Sequence, residues 1–217
     1  MNGLFISGTG PGVGKTIAST ILLARARVLF ARARYHKAIQ SGCEDDAGTV
    51  SHLLKDPSIA SHGPKFKKPL SPHLAAFYDS DYIEMSTVVS FQSKFSDFII
   101  VEGSGGLLVP MNHRYLIIDV IQRLNCPCVI VASTALGTIN HTLLSLEALR
   151  ARRLSPHGVI MMGAKNRDNE ESIRNYGKVR NLLALPWMSD VNHDEVMKLI
   201  QENKDKIDNF IVGASHG

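Results

Sequence analysis

The sequence predicts an α/β fold: a single domain with one doubly wound parallel sheet. Three observations point there. Short apolar runs alternate with segments of helical period, the links between them are brief, and a glycine-rich segment follows the first run directly. At 217 residues the chain has the size of one such domain, and no internal repeat or composition break divides residues 1–217.

Leu4–Ser7 is the first strand, apolar on both faces as a covered parallel strand must be. Gly8-Thr9-Gly10-Pro11-Gly12-Val13-Gly14-Lys15-Thr16 follows, and Thr16–Leu29 has the length and period of a helix. Strand, loop of exposed backbone N–H groups and helix start, in that order, make a polyphosphate site. The backbone of Gly12, Val13 and Gly14 is expected to cradle the phosphates. Lys15 reaches the β- and γ-phosphates, and the Thr16 hydroxyl takes Mg²⁺. Five residues separate Gly8 from Gly14, one more than the common spacing. This segment makes the chain a nucleoside triphosphate binder and the expected fold P-loop NTPase-like.

Tyr35–Ile39 is the second strand, and Asp46–Leu54 the helix after it. Ligands of such sheets sit at the carboxyl ends of the strands, so the residues there are the place to look for chemistry. Lys37 at this strand end would set a second positive charge beside the phosphates. Ser41 can hydrogen-bond a substrate, and Asp46 lies close enough to help hold Mg²⁺. A surface lysine and a helix-capping aspartate explain the same two residues without a ligand. Lys55–Ser71, with Pro57, Gly63, Pro64 and Pro69, reads as a loop over the site. Pro72–Phe77 and Asp81–Phe95 read as helices.

Phe98–Val101 is the third strand and runs into Glu102-Gly103-Ser104-Gly105-Gly106. An acid at the end of an apolar strand matches the metal-side carboxylate of phosphate-loop enzymes, and Gly105 lets backbone approach the nucleotide. Ile117–Leu124 is helical. Cys128–Ala132 is the fourth strand, and Ser133–His141 leads into the helix Ile139–Arg152. The N-terminus of that helix suits an anion; capping by Thr138 or Asn140 accounts for the residues equally well. Val159–Met162 is the fifth strand, Glu170–Leu183 a helix, and the tail from about residue 204 is ill-defined, with a last helix fraying at its end as the alternative.

Bulk properties narrow the partners. The formal charge is only +4, and the arginines at 25, 27, 32 and 34 lack interleaved aromatics, so a solvated face is favoured over a nucleic-acid platform. No run reaches the length of a membrane span and no signal segment opens the chain, which points to the cytoplasm. Cys43, Cys126 and Cys128 lack metal or redox spacing, and the histidines lack ligand spacing, so no structural metal is expected.

Six segments in register resemble the dethiobiotin synthetase family: Gly8–Thr16, Lys37-Ala38-Ile39-Gln40-Ser41-Gly42, Leu70–Ala76, Val101–Pro110, Leu136-Gly137-Thr138-Ile139-Asn140-His141, and Leu185-Pro186-Trp187. The resemblance implies an ATP- and Mg²⁺-dependent cyclo-ligase of biotin biosynthesis. Such enzymes convert 7,8-diaminopelargonate and CO₂, through a carbamate and its mixed anhydride with phosphate, to dethiobiotin, ADP and phosphate. It implies Lys15 and Lys37 at the phosphates and carbamate, Ser41 at the substrate, and Thr16, Asp46 and Glu102 at Mg²⁺. It further implies a homodimer in which Gly137, Thr138 and Asn140 of the neighbouring subunit hold the substrate carboxylate, and an adenine pocket at Met162, Gly163, Pro186 and Met188. Four positions depart from the family pattern: Pro11 for threonine, Ala38 for proline, Met162 for an adenine-reading asparagine, and Ser104 for alanine. Lys37 is expected to stay protonated, and a strand-end lysine adds little to a core, so Lys37→Ala is expected to keep the fold while losing ring closure.

Other readings stay open on the residues. A partition-type ATP switch shares this kind of sheet but generally carries a lysine where Gly10 stands. A corrinoid amidotransferase-type synthetase would bring a glutamine-hydrolysing domain for which the chain has no room. A nucleotide binder that has lost catalysis is the remaining alternative, on the strength of Pro11 and Met162.

Overall fold

A computed structural model describes residues 2–91 and 97–213. The elements run β1 (Gly3–Gly8), α1 (Lys15–Leu29), β2 (Arg34–Lys37), β3 (Gln40–Ser41), α2 (Asp46–Leu53), β4 (Ala60–His62), β5 (Lys65–Phe66), α3 (Pro72–Tyr78) and α4 (Met85–Val89). They continue with β6 (Ile99–Gly106), α5 (Ile117–Leu124), β7 (Cys128–Ser133), α6 (Thr138–Ala151), β8 (Pro156–Met162), α7 (Arg167–Gly177), β9 (Leu182–Leu185), α8 (His193–Glu202) and α9 (Lys204–Val212). Seven strands pair in parallel in the order β4-β2-β6-β1-β7-β8-β9, and β3 and β5 form a separate small ladder. The α/β fold with one parallel sheet is therefore as expected.

Successive side chains of a strand point to opposite faces, and both faces here are apolar. Leu4, Ile6, Tyr35, Ile100, Val129 and Ile160 meet α1, α2, α8 and α9 on one side. Phe5, Ile99, Val101, Ile130, Val159 and Met161 meet the helices of the other. The sheet order puts β1 in the centre, so the loop that follows it emerges in the middle of the carboxyl edge.

The structure corrects the reading of three segments. The helix expected over Glu170–Leu183 stops at Gly177, where Lys178 turns left-handed with φ 49°, and Leu182–Leu185 is instead the last strand of the sheet. A short apolar run ending before Pro186 pairs with β8, which would otherwise expose its edge. In the segment Asp81–Phe95, α-helix is confined to Met85–Val89 among the described residues, a 3₁₀ turn follows at 90–91, and 92–95 lie outside them. The Asn112 amide donates to the Ile83 carbonyl at 2.7 Å, which takes that group out of a helical ladder. Lys55–Ser71 contains two short strands, β4 against β2 and β5 against β3, and is no structureless loop. The tail takes the last helix that was its alternative reading: Ile207, Phe210 and Ile211 of α9 are buried, and Asp208 takes a two-pronged pair from Arg25 of α1, both contacts at 2.7 Å.

The basic cluster is consumed locally. Arg25 pairs with Asp208, Arg27 with Asp56 and Arg32 with Asp97, while Arg34 donates to the Ser58 carbonyl. Burial pushes the Cys126 thiol up to about 12 and that of Cys128 well above its ordinary value, which makes both inert near neutrality. Among the described residues no helix is long and apolar enough to cross a membrane.

Candidate active site

The site begins with strand register. Parallel pairing sets Lys37 of β2 beside Glu102 of β6, and Glu102 beside Ile6 of β1. Period two then places Tyr35, Lys37 and Glu102 on one face, the face covered by α1. The chain leaves β1 through the glycine loop, with Gly12 at φ 66° and Gly14 at φ 89°. Gly14 is the N-cap of α1 in a left-handed conformation that a side chain resists, and a Cβ there would meet Met162 Cγ at 3.2 Å. Helix α1 starts at once, and Thr16 and Ser19, three residues apart, face the sheet together.

Glu102 is wholly buried and takes four donors. Its Oε2 accepts from Ser19 Oγ and Tyr35 O–H, each at 3.0 Å. Its Oε1 accepts from Lys37 Nζ at 2.7 Å and Thr16 Oγ1 at 3.2 Å. Thr16 Oγ1 also lies 3.0 Å from Asp46 Oδ1, its one proton shared between the two carboxylates, and Lys37 Nζ lies 2.5 Å from Asp46 Oδ2. Two carboxylates, one hydroxyl and one ammonium thus form a closed square. Asp46 is free for this because its neighbour does the capping: Asp45 accepts from Gly48 N at 3.1 Å as the N-cap of α2. The Gln40 side-chain oxygen accepts from Asp46 N at 3.4 Å and steadies the helix start.

The two lysines differ in state. Burial opposes the charge of Lys37, but Glu102 and then Asp46 outweigh it and hold the ammonium above its ordinary pKa. Lys37 is therefore protonated, as the sequence suggested, yet it is a buried ion-pair partner and no surface lysine. The expectation that its loss leaves the fold untouched is corrected on this ground: removing it would strand two carboxylates. Lys15 is lowered, chiefly by burial and further by the Lys37 charge, with Glu102 opposing. Its Nζ folds back to the Gly10 carbonyl at 3.0 Å. Burial followed by the Glu102 charge raises Tyr35 well above its ordinary value, so its hydroxyl keeps its proton.

A cavity of about 390 Å³ opens over this square. Its walls include Gly12, Gly14, Lys15, Thr16, Lys37, Ser41, Asp46, Glu102 and Gly105, all read from the sequence as site residues. Val13 is buried against the core beside them. Ser104 and Trp187, read from the sequence only within the resembling segments, also line it, while Glu44 was missed, as were Ser19 and Tyr35 beneath it. The spacing of Thr16 and Ser19 on one helix face, and of Tyr35 and Lys37 on one strand face, carried the only signal for the latter two. Gly163 and Pro186 border a neighbouring cavity of about 670 Å³, and Met188 another of about 480 Å³, with Trp187 between that one and the phosphate cavity. Met162 is buried under Gly14, so its side chain supports the phosphate loop from below. Gly137, Thr138 and Asn140 open α6 and line none of these cavities. No side chain caps α6; the Thr138 hydroxyl turns back to the Ser133 carbonyl.

The donor set suits a small hard cation. Thr16 Oγ1 lies within hydrogen-bond distance of both Asp46 Oδ1 and Glu102 Oε1. One or two carboxylates completed by phosphate oxygens and water is how proteins hold Mg²⁺. Among the described residues no cluster of three His, Cys, Asp or Glu side chains offers a metal site without a ligand's help.

Residues 2–195 match the family described as AAA domain. The chain is 40% identical over 190 residues to the ATP-dependent dethiobiotin synthetase of Lawsonia intracellularis, covering 86% of this chain and 89% of that protein. It is 36% identical over 216 residues to the enzyme of the same name from Nitrobacter hamburgensis, covering 98% of each. A biotin biosynthesis bifunctional protein of Bordetella avium is 41% identical over 199 residues, and the chain spans 41% of that protein's length. Among solved structures, the chain resembles a ParA family ATPase from Chlorobium tepidum, with TM-score 0.59, 13% identity, and 99% and 98% of the two chains covered. A plasmid partition protein from Borrelia burgdorferi superposes with TM-score 0.59 at 10% identity over 94% of this chain and 98% of that one. These last two likenesses concern the fold alone.

Proposed function

The chain belongs to the ATP-dependent dethiobiotin synthetase family of ligases, and on that premise we propose that it closes the ureido ring of dethiobiotin from 7,8-diaminopelargonate and CO₂. One amine nitrogen attacks CO₂ and gives a carbamate with release of a proton. A carbamate oxygen then attacks the γ-phosphorus, the bond to the bridging oxygen breaks, and ADP leaves. The second amine attacks the carbonyl carbon of the mixed anhydride, phosphate departs, and the ring closes with loss of a further proton.

The observation that carries this reading is the convergence of Lys15, Lys37, Thr16, Asp46 and Glu102 on one cavity at the strand ends. An anionic carbamate approaching an anionic phosphate needs fixed positive charge to offset their repulsion. Lys37, held protonated, serves as that charge and not as a base. Lys15 donates to the Gly10 carbonyl, and among the described residues it has no ion pair to break before it turns to the phosphates. Mg²⁺, held by Thr16, Asp46 and Glu102, would neutralise charge on the terminal phosphates. Ser41 on the cavity wall is assigned to the substrate. Backbone at Gly163 and Pro186 is assigned to the base, because the Met162 side chain is occupied under Gly14. The working unit is a homodimer in the cytoplasm, with the start of α6 from one subunit completing the other's substrate site; the uncapped helix end lying off its own cavity supports this.

The test is phosphate release from ATP with and without diaminopelargonate and bicarbonate. Release should require both, and dethiobiotin should form in equal amount. Release indifferent to both additions would overturn the ligase reading.

A further inference from the structure

We propose that the Lys37 ammonium and the divalent cation are alternative occupants of the Asp46–Glu102 pair, so that bare metal is excluded and enters together with the nucleotide. The inference rests on the Mg²⁺ ligand set proposed above and adds the order of assembly. Glu102 cannot turn a fresh oxygen to the metal, because Oε2 is tied down by Ser19 and Tyr35 inside the core. The oxygen left for a ligand is Oε1, and Lys37 Nζ already sits on it at 2.7 Å. The same ammonium holds Asp46 at 2.5 Å. A cation bound at about 2 Å from these oxygens would meet a buried positive charge at close range.

Lys37 must therefore move before metal can bind. Its other contact is the Gly103 carbonyl at 3.2 Å, a neutral group that cannot replace two carboxylates. The terminal phosphates of a nucleotide can, since they carry the anionic oxygens an ammonium needs. Nucleotide thus supplies both the missing metal ligands and a new partner for Lys37. In the free protein the lysine offsets part of the charge of the two carboxylates and keeps the metal site assembled without metal. The device would also place the Lys37 charge at the phosphates only when metal and nucleotide are both present.

Mn²⁺ titrations followed by electron paramagnetic resonance test this on the whole chain. Wild-type protein without nucleotide should show no tight Mn²⁺ site, and a non-hydrolysable ATP analogue should create one that Glu102→Gln weakens. Lys37→Met should raise the affinity for bare Mn²⁺ at least tenfold, and adding Glu102→Gln should remove the gain. Tight, Glu102-dependent binding of bare Mn²⁺ to wild type overturns the proposal, and this reading stands even if Lys37→Met does not fold. A folded Lys37→Met with unchanged Mn²⁺ affinity overturns it as well. If Mn²⁺ bound with the analogue ignores Glu102→Gln, the ligand set itself is wrong and the exchange falls with it, whereas ring closure is judged separately by product formation.

Discussion

Lys37→Ala is the most informative perturbation of stability. In the folded protein the Lys37 ammonium lies 2.5 Å from Asp46 and 2.7 Å from Glu102, and Glu102 is fully buried. Deleting one partner of a buried ion pair costs about 3–5 kcal/mol, because the charge left behind has neither water nor a counter-ion. For a domain of this size each kcal/mol moves the melting temperature by roughly 2–4 °C, so a fall of roughly 6–20 °C is expected. Urea unfolding and calorimetry on the nucleotide-free protein measure it. Lys37 is held above its unfolded pKa of 10.5, so its stabilisation is complete below that value and disappears as the pH rises through the higher folded one. The gap between wild type and variant should accordingly be flat through neutrality and close only in strong alkali. Lys37→Met combined with Glu102→Gln should recover much of the loss, since neither charge is then stranded. A single-variant loss below about 1 kcal/mol would refute the reasoning, because it would mean that Ser19, Tyr35 and Thr16 satisfy Glu102 without the lysine.

Lys15→Met should behave in the opposite way: nucleotide affinity should fall more than tenfold by calorimetric titration, on the order of a lost charge-assisted contact, while stability is unchanged or higher. Burial holds the Lys15 pKa down, so its charge is a penalty present below the lowered folded value and relieved as the pH approaches 10.5; the variant's gain should fade over that window. Gly14→Ala should cost about 1–2 kcal/mol in urea unfolding, from the left-handed strain at φ 89° and the contact with Met162, and should weaken nucleotide binding; full stability would show that the N-cap tolerates a side chain. Tyr35→Phe deletes a hydroxyl donated to Glu102 Oε2 at 3.0 Å and should cost about 1.5–3 kcal/mol, with a loss under about 0.5 kcal/mol assigning the burden to Ser19 alone.

The phosphate loop was legible because its chemistry is contiguous. Gly12, Gly14, Lys15 and Thr16 act through local backbone geometry, and a strand before and a helix after are enough to place them. The alternating apolar runs likewise disclosed a covered parallel sheet, since burial on two faces leaves its mark on each strand separately. Strand β9 escaped detection because Leu182–Leu185 has the apolar content of a helix end, and only the open edge of β8 makes it a strand. The sequence offered Lys37, Asp46 and Glu102 as candidates without showing that they touch.

Contact among them depends on register between β2 and β6 and on which of two adjacent aspartates caps α2. Asp45 takes the capping duty, and Asp46 is thereby released to Thr16 and Lys37. Ser19 and Tyr35 became part of the site because α1 packs on the face that carries Glu102. Such pairings join residues separated by 9 positions for Lys37 and Asp46 and by 86 for Thr16 and Glu102, and their energies come from desolvating opposite charges together. Local propensity carries no record of that, so it arises only when the sheet and its helix close over the same few atoms.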